Sequence, residues 1–252
     1  MKKMMHALLV TGCLLVGFSS FAAETNAFTP AQVTQIQDII KQYLVSNPEV
    51  LVAASQVLQA KQEVKMEKDS MGAISQNKTA LFDDAQSPSI GNVNAPVTVV
   101  EFFDYQCGHC RAMAPILEKL VGADNNLRVI FKELPIFGGQ SQFAAKVALA
   151  ASLQANKYYT LHNLLLTSTD SLTKENVLGL ARKAGLNMPL LEKDMESPAI
   201  DKQLQANFKL AQALKLAGTP TFVIGNKAQT KFRFIPGATS MENLQSEIKA
   251  VQ

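Results

Sequence analysis

The sequence predicts an α/β layer fold that carries a helical insertion and is preceded by a helical arm. Three observations predict it. A strand pattern, a helix pattern and a second strand pattern follow one another from Val97 to Glu133, the order of a parallel βαβ unit. An almost wholly helical stretch then runs from Gln140 to Leu216. Two further strand patterns and a last helix close the chain and complete a layered arrangement.

The elements follow in order. Lys2 and Lys3 precede an apolar run from Ala7 to Phe18, and small residues Ser20 and Ala22 come next. This is the three-part layout of a secretory signal, assigned to residues 1–22, with cleavage expected after Ala22 or Ala23. The run of about 12 residues is short of the roughly 20 that a membrane helix needs. Export to the periplasm is therefore expected. A competing pattern, Val10-Thr11-Gly12-Cys13, resembles a lipoprotein acylation site, which would leave outer-membrane association open. The apolar run continues past Cys13 through Leu14, Leu15 and Val16, and this disfavours it.

Thr29 and Pro30 mark a helix start, and Val33, Ile36, Ile40, Tyr43 and Leu44 recur at helical spacing behind them. Asn47-Pro48-Glu49 repeats the start signal, and Leu51, Ala54, Val57 and Leu58 share one side of a second helix. From Lys61 to Lys78 the chain turns polar, as a solvated helix or a linker. The turn-rich Ser87-Pro88-Ser89-Ile90-Gly91-Asn92 then reads as a boundary. The arm is thus placed at residues 24–86 and the main domain at 87–252, with the insertion at about 138–217. Within that domain, Val97–Phe103 and Leu127–Glu133 read as buried strands, with a helix from Cys107 to about Val121 between them. Thr221–Gly225 and Lys231–Ile235 form the later strand pair, and Met241–Val251 the final helix.

The charge balance narrows the function. Lys+Arg 24 against Asp+Glu 21 gives +3, and two of those lysines leave with the signal, so no strong electrostatic attraction to nucleic acid is expected. Three cysteines are too few for a disulfide-stapled scaffold. Without Cys13, the exported chain keeps Cys107 and Cys110, three apart. The ring they close is too short to restrain much chain entropy, which leaves redox chemistry or half of a metal site.

Cys107 falls where a strand hands over to a helix. A thiolate there meets the positive end of the helix dipole and free backbone N–H groups, and both favour the charged form. His109, between the cysteines, adds an N–H or a positive charge. Cys110, one turn in, is expected to be hidden. That asymmetry suits a dithiol exchanger: one sulfur attacks or is attacked, and the second resolves the mixed disulfide as a redox-active Cys107–Cys110 pair forms. A zinc or copper site would need two more ligands, and only His109 and His162 are on offer, so no metal and no cofactor is expected.

Phe102-Phe103-Asp104-Tyr105-Gln106-Cys107-Gly108-His109-Cys110 after a buried strand resembles the active site of the thioredoxin superfamily. The helical insertion before Gly218-Thr219-Pro220 resembles its DsbA-like branch, over roughly Ala95 to Gln252. The resemblance implies a thioredoxin-like fold and a thiol:disulfide interchange protein acting on exported proteins, recycled by a membrane-bound redox partner. It implies that Pro220 is cis and packs beside the dithiol, with Thr219 offering backbone groups to substrate. It also implies an acid at Glu101 under the active-site helix, with Lys132 as its basic partner, the two moving the proton of Cys110. Gly108 replaces the proline usual in DsbA and gives the dipeptide of protein disulfide isomerase, whose potential lies near −180 mV, between about −270 mV for thioredoxin and about −120 mV for DsbA. Isomerisation beside oxidation is expected on that ground. The arm resembles the dimerising segment of some related periplasmic proteins and implies a homodimer. The contrasting reading is a dimeric holdase chaperone or surface-associated binding protein in which redox chemistry is secondary.

Overall fold

Two seven-residue strands, each rich in β-branched and aromatic residues and buried at nearly every position, form the inside of a sheet. A computed structural model describes residues 28–252; the expected signal and Cys13 lie outside the described residues. The strands are β1 (Ser89–Gly91), β2 (Val97–Phe103), β3 (Leu127–Glu133), β4 (Thr221–Asn226) and β5 (Phe232–Pro236). They form one sheet in the order β1-β3-β2-β4-β5. Only β2 and β3 run parallel; the other neighbours are antiparallel. The helices are α1 (Pro30–Ser46), α2 (Glu49–Gln76), α3 (Lys78–Phe82), α4 (Gly108–Ala123), α5 (Gly139–Ala151), α6 (Tyr158–Thr167), α7 (Lys174–Lys183), α8 (Met188–Met195), α9 (Pro198–Ala213) and α10 (Met241–Val251).

The parallel register pairs Glu101 with Phe131 and Phe103 with Glu133. Because side chains alternate along a strand, Val97, Val99, Glu101 and Phe103 share one face with Val129, Phe131 and Glu133. That face packs in the larger core cluster with α4, α5, α6 and α10. Val100, Phe102, Ile130 and Lys132 take the other face, against Ile74, Leu81, Phe82 and the end of α9.

The chain divides into one unit ending at Leu58 and a second running from Gln59 to Gln252. The boundary expected after residue 86 therefore falls inside the second unit. The polar stretch is the continuation of α2, not a linker, and its end is core: Ile74, Leu81 and Phe82 are buried, and the Ser70 hydroxyl donates to Leu214 O at 3.3 Å. Phe82 stacks on Phe232, and a side chain at Gly225 would collide with its ring, so the Phe82 ring sits directly against β4. The expected boundary turn also holds a strand: Ser89–Gly91 pairs with β3, through backbone bonds that no side-chain pattern announces. Thr29 caps α1 as expected, through a capping box with Gln32. In the first unit α1 buries no residue, and Ile36, Ile39, Ile40 and Tyr43 stand exposed. Among the described residues no helix is long and apolar enough to cross a membrane.

Candidate active site

β2 ends at Phe103, and a short turn carries the chain to α4. Asp104 builds that turn. Its buried carboxylate accepts from Gln106 N (2.7 Å), Ser141 Oγ (2.6 Å) and Phe137 N (3.0 Å). Cys107 is the N-cap of α4 and its side chain caps nothing, which leaves the first-turn N–H groups beside its sulfur. The thiol donates to Thr219 O at 3.2 Å, across the cis Thr219–Pro220 peptide. Both cysteines are free thiols; Cys107 keeps 5% of its surface and Cys110 none. Burial pushes the Cys110 thiol far above its ordinary range, and the nearby Glu101 adds to that. Thr219 Oγ1 is buried without a hydrogen-bond partner. His109 and Gly108 are exposed.

Glu101 lies on the dithiol face with 1% of its surface exposed, and neither carboxylate oxygen has a partner. Burial, and after it the negative charge of Cys107, raise its pKa to about 8. Lys132 does not meet it. The strand register aims Lys132 at the opposite face, where Nζ binds Asp84 Oδ2 (2.8 Å) and Ser87 Oγ (2.7 Å). Burial pulls Asp84 up, but hydrogen bonds from Lys132, Gln203 and Ser87 outweigh it and bring the acid to about 2. The expected Glu101–Lys132 pair is thus corrected: Phe131, not Lys132, stands beside Glu101.

A second buried group on the dithiol face went unrecognised in the sequence. Glu133 Oε1 accepts from Tyr105 Oη and Tyr158 Oη, each at 2.9 Å, and Tyr105 Oη lies 3.2 Å from His162 Nδ1. His162 sits among the rings of Phe103, Phe131, Tyr158 and Tyr159, and burial drives its pKa down to about 3. It is a neutral core histidine. The signal for this cluster was alternation: Glu133 shares a strand face with Phe131. Among the described residues no three His, Cys, Asp or Glu side chains gather as a metal-binding group.

A sheet with this strand order, with an unequal pair of thiols at the start of the helix after β2 and a cis-proline loop against them, defines a thioredoxin-fold dithiol protein. The DsbA-like thioredoxin domain matches residues 98–249, and the N-terminal domain of the copper resistance protein ScsC matches residues 32–64. The chain belongs to the DsbA-like thioredoxin family. BcfH of Salmonella enterica Typhimurium is 33% identical, with a TM-score of 0.70 over 88% of this chain and 96% of that one. A thioredoxin-like oxidoreductase of Silicibacter pomeroyi is 38% identical, with a TM-score of 0.64 over 69% of this chain and 96% of that one. The thiol:disulfide interchange protein DsbA of Bordetella parapertussis is 28% identical over 55% of this chain and 72% of that protein. The chain also matches Na(+)/H(+) antiporters but spans about a fifth of their length, 21% for that of Salinispora arenicola.

Proposed function

We propose that the chain is a periplasmic thiol:disulfide oxidoreductase that oxidises dithiols in exported proteins and also rearranges their disulfides, with Cys107 as nucleophile and Cys110 as resolving thiol. One observation carries the reading: two sulfurs at one helix start, the first capping nothing beside free N–H groups and the second sealed above a partnerless carboxyl.

In the oxidising direction a substrate thiolate attacks Sγ of Cys107 in the Cys107–Cys110 disulfide. The S–S bond breaks and Cys110 leaves as a thiolate, which takes the proton of Glu101. A second substrate thiolate then attacks the substrate sulfur of the mixed disulfide, and Cys107 departs as a thiolate. Two electrons have passed from substrate to protein, and a membrane-bound redox partner removes them. In the rearranging direction the Cys107 thiolate attacks a wrong disulfide, and Glu101 in its ionised form takes the proton of Cys110 when resolution is needed. A Glu101 pKa of about 8 suits both roles near neutral pH. His109 supports the Cys107 thiolate, and Thr219 with Pro220 lines an extended substrate strand. The layout of residues 1–22 supports export. The exposed apolar face of α1 supports pairing with a second copy, which would set two dithiols to one task.

The test is turnover on a dithiol peptide and on a scrambled-disulfide protein. Cys107→Ser should abolish both. Cys110→Ser should trap the mixed disulfide. An Ile36→Glu, Ile40→Glu double variant should be monomeric, oxidise normally and lose most rearrangement. A Cys107→Ser chain with undiminished turnover would sink the reading.

A further inference from the structure

We propose that Glu133 is a positioning residue for proton exchange at the dithiol: held by Tyr105 and Tyr158, it forms with Glu101 a coupled pair of buried carboxyls and sets the pH at which Glu101 trades its proton with Cys110. The proposal rests on the reading of Cys107 and Cys110 as a redox pair.

The register supplies the proximity. Glu101 stands beside Phe131, so Glu133 lies two residues further along the neighbouring strand on the same face. A strand spacing of about 4.8 Å and a rise of about 3.3 Å per residue put the two Cα atoms about 8 Å apart. Both residues are 1% exposed. The groups that face Glu133 are acidic or neutral. β2 and its turn bring Glu101, Asp104 and Tyr105, and α6 brings Tyr158 and, through Tyr105, His162; Cys107, Cys110 of α4 and Tyr159 lie in the same core cluster. From α9, Asn207 Nδ2 donates to Glu133 O at 3.0 Å. β1 contributes no titratable side chain, and Lys132 is spent on Asp84 across the sheet. Among the described residues no cation is paired with either carboxyl.

The two carboxyls differ in their donors. Glu133 Oε1 accepts two phenol protons, and the Tyr105 oxygen can then accept from His162 Nδ1. Every contact in that chain is satisfied with Glu133 ionised and His162 neutral. Glu101 has no donor at all. Burial pushes both acids up, Glu133 well above the usual carboxylate range, and only at Glu133 do two phenol donors oppose that rise; when the pair loses one proton, the charge settles on the carboxyl that has donors, and Glu101 keeps the other. A charge on a side chain whose Cα lies about 8 Å away, at an effective dielectric of about 20, then delays the ionisation of Glu101 by roughly one to two pH units.

The experiment is the thiol–disulfide equilibrium of the full chain with glutathione, followed from about pH 5 to pH 9. The parent should show a break that Glu101→Gln removes. Glu133→Gln should move that break roughly one to two pH units lower. Tyr158→Phe keeps the carboxyl but removes a donor, and should move it the same way by less. A loss of packing alone would lower the melting temperature and leave the break in place. If Glu133→Gln does not fold, Tyr158→Phe decides alone. A parent that exchanges normally, with the break unmoved in the folded variants, overturns the proposal and leaves the dithiol reading intact. A parent that exchanges no disulfide with glutathione overturns both.

Discussion

Lys132 and Glu101 are both buried to 1% exposure on adjacent strands, and the two faces of the sheet treat them in opposite ways. On the face toward α3 and α9, Lys132 has a carboxylate and a hydroxyl within 2.8 Å, and Gln203 and Asn207 extend the network to the backbone of β3. On the face toward α4, Glu101 has nothing. A buried charge with a full set of partners holds a structure together, because its desolvation is repaid on the spot. A buried acid without partners is kept neutral near neutral pH and is free to exchange its proton with whatever thiolate forms above it. Burial alone does not separate a structural ionisable group from a functional one; the partner count does.

The largest expected effects fall on stability. Lys132→Met removes the donor shared by Asp84 and Ser87 and, because water still reaches Asp84, should cost about 2–3 kcal/mol in denaturant unfolding. It should leave the glutathione equilibrium constant of the dithiol unchanged, and a shifted constant would break the division between the faces. Glu101→Gln is expected to act with the opposite sign. The folded-state pKa of about 8 lies above the unfolded value, so the contribution of neutral Glu101 is fully present below about pH 4.5 and is lost as pH rises through 8. Glutamine does not ionise, so the variant should be more stable than the parent by a few kcal/mol above pH 8 and equal to it near pH 5. Its rate of Cys110-dependent resolution should fall by at least about 100-fold.

The smallest effect belongs to Asp84. Its folded pKa of about 2 lies below the unfolded value of 3.8, so its contribution is present above about pH 4 and lost as pH falls toward 2. Screening of this partly exposed group limits the loss to about 1 kcal/mol in acid titrations of stability. Lys132→Met should flatten that acid limb, and an unchanged limb would assign the pH dependence to other carboxylates.

The strand, helix, strand order and the placing of Cys107 and Cys110 were legible because each is a local pattern, whereas the cis Thr219–Pro220 turn followed only from the family resemblance. What was not legible depended on register. Glu101 and Lys132 sit in similar apolar strands, but a shift of one residue exchanges the faces of a strand, and only the pairing of Glu101 with Phe131 decides which basic group an acid meets. The root of the arm was missed for a related reason. Lys61–Lys78 is polar in sequence, yet Ile74 inside it is fully buried with Met71 and Ala73 packed beside it, because a few apolar residues in its last turns suffice to join the cluster of Leu81, Phe82 and the sheet. The Tyr105–Glu133–Tyr158–His162 chain joins residues up to 57 positions apart, and alternation marks only the strand face of Glu133, not its partners.

The crowding of rings around His162 also determines what light the protein reports. The chain has no tryptophan and four tyrosines. Three of them, Tyr105, Tyr158 and Tyr159, surround that imidazole, and two bind the Glu133 carboxyl. The fourth, Tyr43, stands apart on the exposed apolar face of α1. The near-ultraviolet absorption and emission therefore separate into one phenol on the arm, which reports on whatever covers that face, and a cluster of interior phenols beside the dithiol, so that Tyr43→Phe leaves a spectrum written by the interior cluster alone.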